Sequence, residues 1–107
     1  MSEKRIREIV SFIKKFLKQK QLKIDKVVVF GSCLKGNFTA ESDVDVAIVS
    51  SDFEKKDIFA RTEMLRGLNW SLVRQFMLPF DIVSISLKEW KTSSSFIANF
   101  VREGRKF

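Results

Sequence analysis

Two aspartates, Asp43 and Asp45, stand one residue apart at the start of an apolar run over residues 46–49. Alternate side chains of a β-strand point to the same face, with Cα atoms about 6.5–7 Å apart. The two carboxylates can therefore converge on one hard cation or on a pair of cations. Mg²⁺ prefers oxygen ligands and commonly binds through one or two carboxylates together with substrate phosphates. The pair thus predicts a magnesium site at the start of a strand.

A glycine turn precedes this strand. Gly31 and Ser32 close an earlier apolar run over residues 27–30, and ten residues separate them from the aspartates. Glycine permits backbone dihedrals and close approach that a Cβ would exclude, and Ser32 can cap a helix or bind a phosphate oxygen. Backbone N–H groups at such a turn form an anion site. The alternative is a turn that only joins two strands.

A third carboxylate, Asp81, opens another strand-like run over residues 80–86, directly after Pro79. If this strand lies beside the strand that carries Asp43 and Asp45, three carboxylates share one surface. Two-metal sites hold their ions about 3.5–4 Å apart and clamp the attacking and leaving oxygens of a displacement. The alternative makes Asp81 a turn residue that follows proline.

Together, the Gly-Ser turn, the ten-residue spacer and the Asp-x-Asp strand resemble the signature of the polymerase-beta-type nucleotidyltransferase superfamily. Within it, nearly the whole chain is similar to the minimal nucleotidyltransferases of bacteria and archaea. The resemblance implies that the first two aspartates bind Mg²⁺, that the third assists them and activates the acceptor hydroxyl, and that the turn holds the triphosphate. The predicted catalytic and metal-binding residues are Asp43, Asp45 and Asp81, and the predicted nucleotide-binding residues are Gly31, Ser32, Lys35, Gly36 and Ser42.

The resemblance also implies a reaction and a partner. The reaction is Mg²⁺-dependent transfer of a nucleoside monophosphate, AMP, from ATP or another nucleoside triphosphate to a hydroxyl on a partner protein. Minimal nucleotidyltransferases often pair with a helical HEPN-domain protein, so the implied role is the antitoxin of a toxin–antitoxin pair. Many relatives carry arginines where this chain has Cys33 and Lys35, and lysine cannot make the bidentate fork of arginine. A catalytically weak or inactive interaction protein that neutralises its partner by binding is the alternative.

Composition excludes several other classes. The 107 residues are 45% apolar and 31% charged, which predicts one globular domain over residues 1–107. Histidine is absent, which excludes histidine-based triads and histidine zinc sites. No apolar run approaches the roughly 20 residues that span a bilayer, and no secretory signal is visible. A lone cysteine excludes an internal disulfide and predicts a cytoplasmic protein.

The net charge of +7 lies at one end of the chain. Residues 1–35 hold ten Lys/Arg and three Asp/Glu, which accounts for the whole excess, and the remaining residues hold ten of each. An acidic partner or nucleic acid could bind this basic segment. A solvated helix face is the simpler explanation. A homodimer also remains open.

The pattern of elements predicts an α/β (α+β) fold, a small mixed sheet of about three to four strands with helices packed on it. An amphipathic helix capped by Ser2 is expected to about residue 20, and strands are expected over 26–30, 43–50 and 80–86. The capping-box spacing at Ser51 predicts a helix to about residue 76, broken or kinked at Gly67. A second capping box at Ser86 predicts a short helix, and residues 96–102 a last one. Trp70, Trp90 and the eleven phenylalanines are expected mostly in the core, with a few exposed because the domain is small.

Overall fold

The computed structural model describes residues 1–34, 36, 38–39, 41–92 and 96–107, and only the backbone of residues 96 and 97. The described helices are α1 (Glu3–Gln19), α2 (Ile58–Met64), α3 (Leu68–Phe76), α4 (Leu87–Thr92) and α5 (Phe96–Arg102). The described strands are β1 (Lys26–Phe30), β2 (Val44–Ser50), β3 (Phe80–Ser86) and β4 (Arg105–Lys106). Short 3₁₀ turns follow β1, at Gly31–Leu34, and β2, at Ser51–Phe53.

The four strands form one mixed sheet in the order β3-β2-β1-β4. Strand β1 runs antiparallel to β2 and to β4, whereas β2 and β3 are parallel. The predicted fold class, a small mixed sheet covered by helices, is confirmed. Because β3 and β2 are parallel, the starts of both strands meet at the same end of the sheet.

Helices cover both faces of the sheet, which explains the unbroken apolar runs of the central strands. Helices α1 and α3 pack on one face, where Val44, Val46 and Ile48 of β2 are fully buried. Trp90 of α4 and Val101 of α5 pack on the opposite face. The alternation along β2 therefore places the side chain of Asp45 on the α4–α5 side, at the end of the sheet where β2 and β3 start.

Helix α1 forms as its sequence predicts. The Ser2 hydroxyl accepts a hydrogen bond from the backbone N–H of Arg5 at 3.1 Å and caps the first turn. The helix buries one apolar stripe and leaves most of its lysines in solvent, so the basic segment covers the fold with its apolar side. The buried stripe consists of Ile6, Ile9, Val10, Ile13 and Leu17.

The prediction of one helix from Ser51 to about residue 76 is wrong. Ser51 begins a single 3₁₀ turn, and the hydroxyl that caps it belongs to Ser50, which accepts from the N–H of Asp52 at 3.0 Å. Phe53 is fully buried and Lys55 has a φ of 60°, so the chain leaves the helical path between them. The helix starts later, capped by Asp57.

The predicted break at Gly67 is confirmed. Its φ of 88° ends the turn that follows α2 and redirects the chain into α3. Glycine adopts this left-handed conformation without the steric cost that a Cβ adds. The interruption separates two short helices, and both lie along the outer strand β3.

The predicted capping box at Ser86 is confirmed in both directions. Its hydroxyl accepts from the N–H of Glu89 at 3.1 Å, and its own N–H donates to Glu89 Oε1 at 2.9 Å. Arg61 of α2 donates to the same carboxylate oxygen at 2.7 Å. Burial alone would raise the pKa of Glu89, but the Ser86 hydrogen bonds and the Arg61 guanidinium together lower it. Glu89 therefore ties α2 to the start of α4.

We expect Glu89→Gln to lower the unfolding free energy by about 1 kcal/mol at pH 7, the usual net contribution of such hydrogen bonds. A carboxyl whose pKa is lowered by folding stabilises the protein above its unfolded pKa, and this contribution is lost as the pH falls through the folded value. The difference from the parent should therefore shrink between pH 7 and an acid pH at which the folded carboxyl is protonated. Urea unfolding at both pH values measures it, with Glu63→Gln as the control because its ion pair with Arg66 is exposed. Equal effects of the two substitutions at pH 7 would refute this role of Glu89.

Candidate active site

Asp45 and Asp81 lie side by side on neighbouring strands. The register of the parallel pair β2–β3 sets Asp45 directly against Asp81, and the register of β1–β2 sets Phe30 on the other side of Asp45. Neighbouring strands are about 4.8 Å apart, so paired side chains share a face and can meet. The prediction of Asp81 as a third carboxylate depended on its strand lying beside the strand of Asp45, and the fold has this arrangement.

Asp43 is the residue before β2 and is exposed. Its charge still reaches the pair, because the pKa of Asp45 is raised first by burial, then by the charge of Asp81 and then by that of Asp43. Mutual repulsion of this kind makes the ionised carboxylates costly in the absence of a cation. Among the described residues, no three acidic or thiol groups form a ready metal site. The close carboxylate pair, with its oxygen donors and mutual repulsion, nevertheless fits a hard divalent cation.

The glycine turn touches this pair. Gly31 has a φ of 79°, and a Cβ built on it would collide with Oδ2 of Asp45 and lie 3.1 Å from its Cγ. Only a residue without a Cβ lets the backbone of the turn approach the carboxylate so closely. The turn and the aspartates therefore form one site at the end of the sheet.

The other predicted loop residues have different surroundings. Ser32 lies inside the 3₁₀ turn, so it is not the cap that its type suggested. Gly36 is exposed, with a φ of 75°, and a Cβ built on it would meet no described atom within 4 Å. The Ser42 hydroxyl accepts from the backbone N–H of Thr39 at 3.1 Å and so closes the loop on itself. Lys35 lies outside the described residues. The nucleotide-binding role of these residues remains a prediction.

Cys33 points into the protein. The thiol is buried and donates to the carbonyl oxygen of Phe30 at 3.3 Å. Burial raises its pKa, and the nearby charge of Asp45 raises it further, so the thiol stays neutral. The position directly after the Gly-Ser pair is therefore occupied by a core side chain.

A groove next to Asp81 was not predicted from the sequence. It has a volume of about 810 Å³ and lies between β3 and helices α2 and α3. Trp70, expected in the core, is 65% exposed on its wall, whereas Trp90 is buried as expected. The signal was present in α3: Trp70, Val73 and Met77 form a second apolar stripe beside the buried one of Leu68, Leu72 and Phe76.

The carboxylates, the glycine turn and the strand order can be compared with known proteins. The sequence model of the nucleotidyltransferase domain matches residues 10–106. This chain belongs to the nucleotidyltransferase domain family. The match spans every strand of the sheet and both sides of the candidate site, so the superfamily that the sequence resembled is confirmed.

Two crystal structures show the same fold as this nucleotidyltransferase. A candidate nucleotidyltransferase from Sulfolobus solfataricus is 18% identical, covers 96% of this chain and 79% of its own, and superposes with a TM-score of 0.63. A second candidate nucleotidyltransferase is 27% identical over 92% of this chain and 96% of its own, with a TM-score of 0.58. No curated protein matches the chain.

Family membership establishes nucleotidyl transfer as the general activity, with a nucleoside triphosphate as substrate and a divalent metal as the usual cofactor of the domain. In the described part of the nucleotidyltransferase, no helix is long and apolar enough to cross a membrane.

Proposed function

We propose that this nucleotidyltransferase transfers AMP from ATP to a hydroxyl group of a partner protein, with Mg²⁺ held by Asp43, Asp45 and Asp81. The observation that supports the proposal most is the register that sets Asp45 against Asp81, beside the Gly31 turn. The turn proposed to bind phosphate and the carboxylates thereby lie at one end of the sheet, as a transfer from a triphosphate needs.

The turn and the carboxylates have different proposed roles, which follow from their positions. Backbone N–H groups of the turn Gly31–Leu34 would bind the phosphates, as oriented donors bind anions in other proteins. Asp43 and Asp45, together with Asp81, would hold the magnesium, which would supply neutralisation of phosphate charge. Asp81 lies on the edge strand β3 and is the carboxylate that we assign to the acceptor. Asp81 accepts the proton of the acceptor hydroxyl while the hydroxyl oxygen bonds to the α-phosphorus and pyrophosphate leaves.

The proposed partner is a helical HEPN-domain toxin, with this chain as the cytoplasmic antitoxin. The similarity to minimal nucleotidyltransferases supports this pairing. Adenylylation would neutralise the toxin covalently, so small amounts of the transferase would suffice.

Co-expression with the protein encoded next to it, followed by intact-mass spectrometry, tests the reaction and the acceptor together. We expect the neighbouring protein to gain one or more AMP units, and Asp43→Asn to remove that gain. Unchanged modification by the Asp43→Asn variant would rule out the metal site. Asp57→Asn is the matched control, because asparagine caps a helix as well as aspartate does.

A non-catalytic interaction protein is the second candidate, and the buried thiol of Cys33 favours it. Without a guanidinium at that position, the phosphates lose a bidentate contact. Calorimetry with ATP and Mg²⁺ separates the two functions. Heat of binding that is lost in Asp45→Asn supports the transferase, whereas no heat from either protein supports neutralisation by contact alone.

A further inference from the structure

The outer edge of β3 has an open stretch. The N–H of Val44 donates to the carbonyl of Pro79 at 2.8 Å, so Asp81 and Val83 direct their backbone groups to β2. Ile82 and Ser84 must then direct theirs outwards. Among the residues that the structure describes, none bonds to these four groups.

Side chains close this stretch at both ends. Asn69 Nδ2 donates to the carbonyl of Phe80 at 3.0 Å, and the N–H of Ser86 donates to Glu89 at 2.9 Å. Exposed strand edges are usually blunted by charge or proline, but residues 82–84 carry neither. The open edge is therefore a short, bounded template for another strand.

An apolar wall stands opposite this edge. Ile58, Trp70 and Val73 of α2 and α3 line the groove and are 62%, 65% and 39% exposed. A groove with an apolar wall and an unpaired strand edge is the geometry that binds extended peptides by strand addition. Nucleic acid would need more cations than Arg66, the one basic side chain among the described lining residues.

The groove leads to Asp81, which lines it at one end. Ile82 and Ser84 point to the face of the sheet that α1 and α3 cover, and Asp81 points to the opposite face with Asp45. An added strand would lie about 4.8 Å from β3, and its side chains would alternate in the same way. The residue beside Asp81 would therefore face the carboxylates, while its two neighbours would face the apolar wall.

We propose that the groove between β3, α2 and α3 binds an extended segment of the acceptor polypeptide by strand addition. The segment carries a hydroxyl residue beside Asp81 and an apolar residue on each side of it. Arg66 lines the groove, and Arg74, outside the lining, has its guanidinium 4.9 Å from the ring centroid of the lining residue Trp70. These cations favour acidic residues beyond the apolar pair. The fate of the hydroxyl rests on the proposed function: its oxygen bonds to the α-phosphorus, pyrophosphate leaves and the proton passes to Asp81.

Binding is measured first, without nucleotide, by fluorescence anisotropy. The probe is a labelled nonapeptide with a valine–threonine–valine centre and glutamates on both sides. We expect Trp70→Ala to weaken binding by about tenfold or more and Phe59→Ala, 81% exposed but outside the groove, to leave it unchanged. The same peptide with N-methyl groups on alternate residues keeps its side chains but loses the edge hydrogen bonds, and it should bind the unaltered protein about tenfold more weakly or worse.

Failure of the unmodified peptide to bind would overturn the proposal, as would equal binding of the N-methylated peptide or of Trp70→Ala. A concentration-dependent dimer that Trp70→Ala abolishes, seen by sedimentation, would instead assign the groove to a second copy and overturn it. Mg²⁺ and ATP are then added to peptides in which threonine moves one residue at a time. AMP should appear only where threonine faces Asp81. Binding without transfer to any peptide would support strand addition and count against the proposed reaction.

Discussion

Asp45→Asn should abolish nucleotidyl transfer and at the same time make the protein more stable. The substitution removes a proposed magnesium ligand, and metals contribute several kcal/mol to charge stabilisation in such reactions. Because about 1.4 kcal/mol corresponds to a tenfold change in rate, we expect transfer to fall by about a thousandfold or more. Single-turnover transfer of labelled ATP measures the loss.

The gain in stability follows from the raised pKa of Asp45, which burial and the charges of Asp81 and Asp43 produce. A carboxyl whose pKa is raised by folding destabilises the folded state once the pH exceeds that value, and the penalty disappears as the pH falls below the unfolded value. Like charges set directly against each other on neighbouring strands cost about 0.2–1 kcal/mol. Asp45→Asn should recover that amount at pH 7 and nothing near about pH 3.

Thermal unfolding at both pH values, with and without Mg²⁺, tests this prediction. Magnesium should stabilise the parent and leave Asp45→Asn unchanged, since ligands stabilise only the state that binds them. Asp57→Asn is the control for the chemical change and should alter neither transfer nor stability. Full transfer activity, or a lower melting temperature at pH 7, would show that Asp45 has another role.

Gly31→Ala should damage both the fold and the site. The φ of 79° costs alanine about 1–2 kcal/mol. The new Cβ would also collide with Oδ2 of Asp45, so the carboxylate must move. Since a displacement of about 1 Å can cost a hundredfold in rate, we expect a loss of about that size. Affinity for ATP and Mg²⁺ should fall as well, which calorimetry measures directly.

Gly67→Ala is the control that separates the backbone strain of a positive φ from the collision of a new Cβ with Asp45. Gly67 has a similar φ of 88°, but a Cβ there would lie 3.5 Å from Cζ of Phe16, an ordinary contact. Both variants should lose comparable stability in urea, and only Gly31→Ala should lose affinity for ATP and Mg²⁺. If both variants bind ATP and Mg²⁺ as the parent does, the close approach of the turn to Asp45 has no part in the site.

Local patterns were sufficient for much of the fold. The stripe of α1 follows from its three- and four-residue spacing, and the apolar runs over residues 27–30 and 46–49 predict the strands β1 and β2. The apolar run that follows Asp43 and Asp45 predicted a strand beginning at these residues, and β2 begins between them, at Val44. The capping box of Ser86 and Glu89 forms because both partners lie within one turn of helix.

Local patterns failed where a distant contact competed with them. The same capping-box spacing at Ser51 does not start a long helix, because Phe53 is drawn into the core and Asp57 offers another cap. Cys33 was judged by its place after the Gly-Ser pair, yet burial decides its chemistry. Trp70 was assigned to the core by residue type, although the buried stripe of α3 leaves it on the surface.

The amino-acid sequence by itself determined the residue types of the site and the order of its parts, since both depend on neighbours along the chain. Only the tertiary structure decided that β3 pairs in parallel with β2, so that Asp81 meets Asp45, and that Gly31 leaves no room for a Cβ. It also decided that Ile82 and Ser84 face an open groove. These features depend on strand register and burial, which residues far apart in the chain establish only when they pack together.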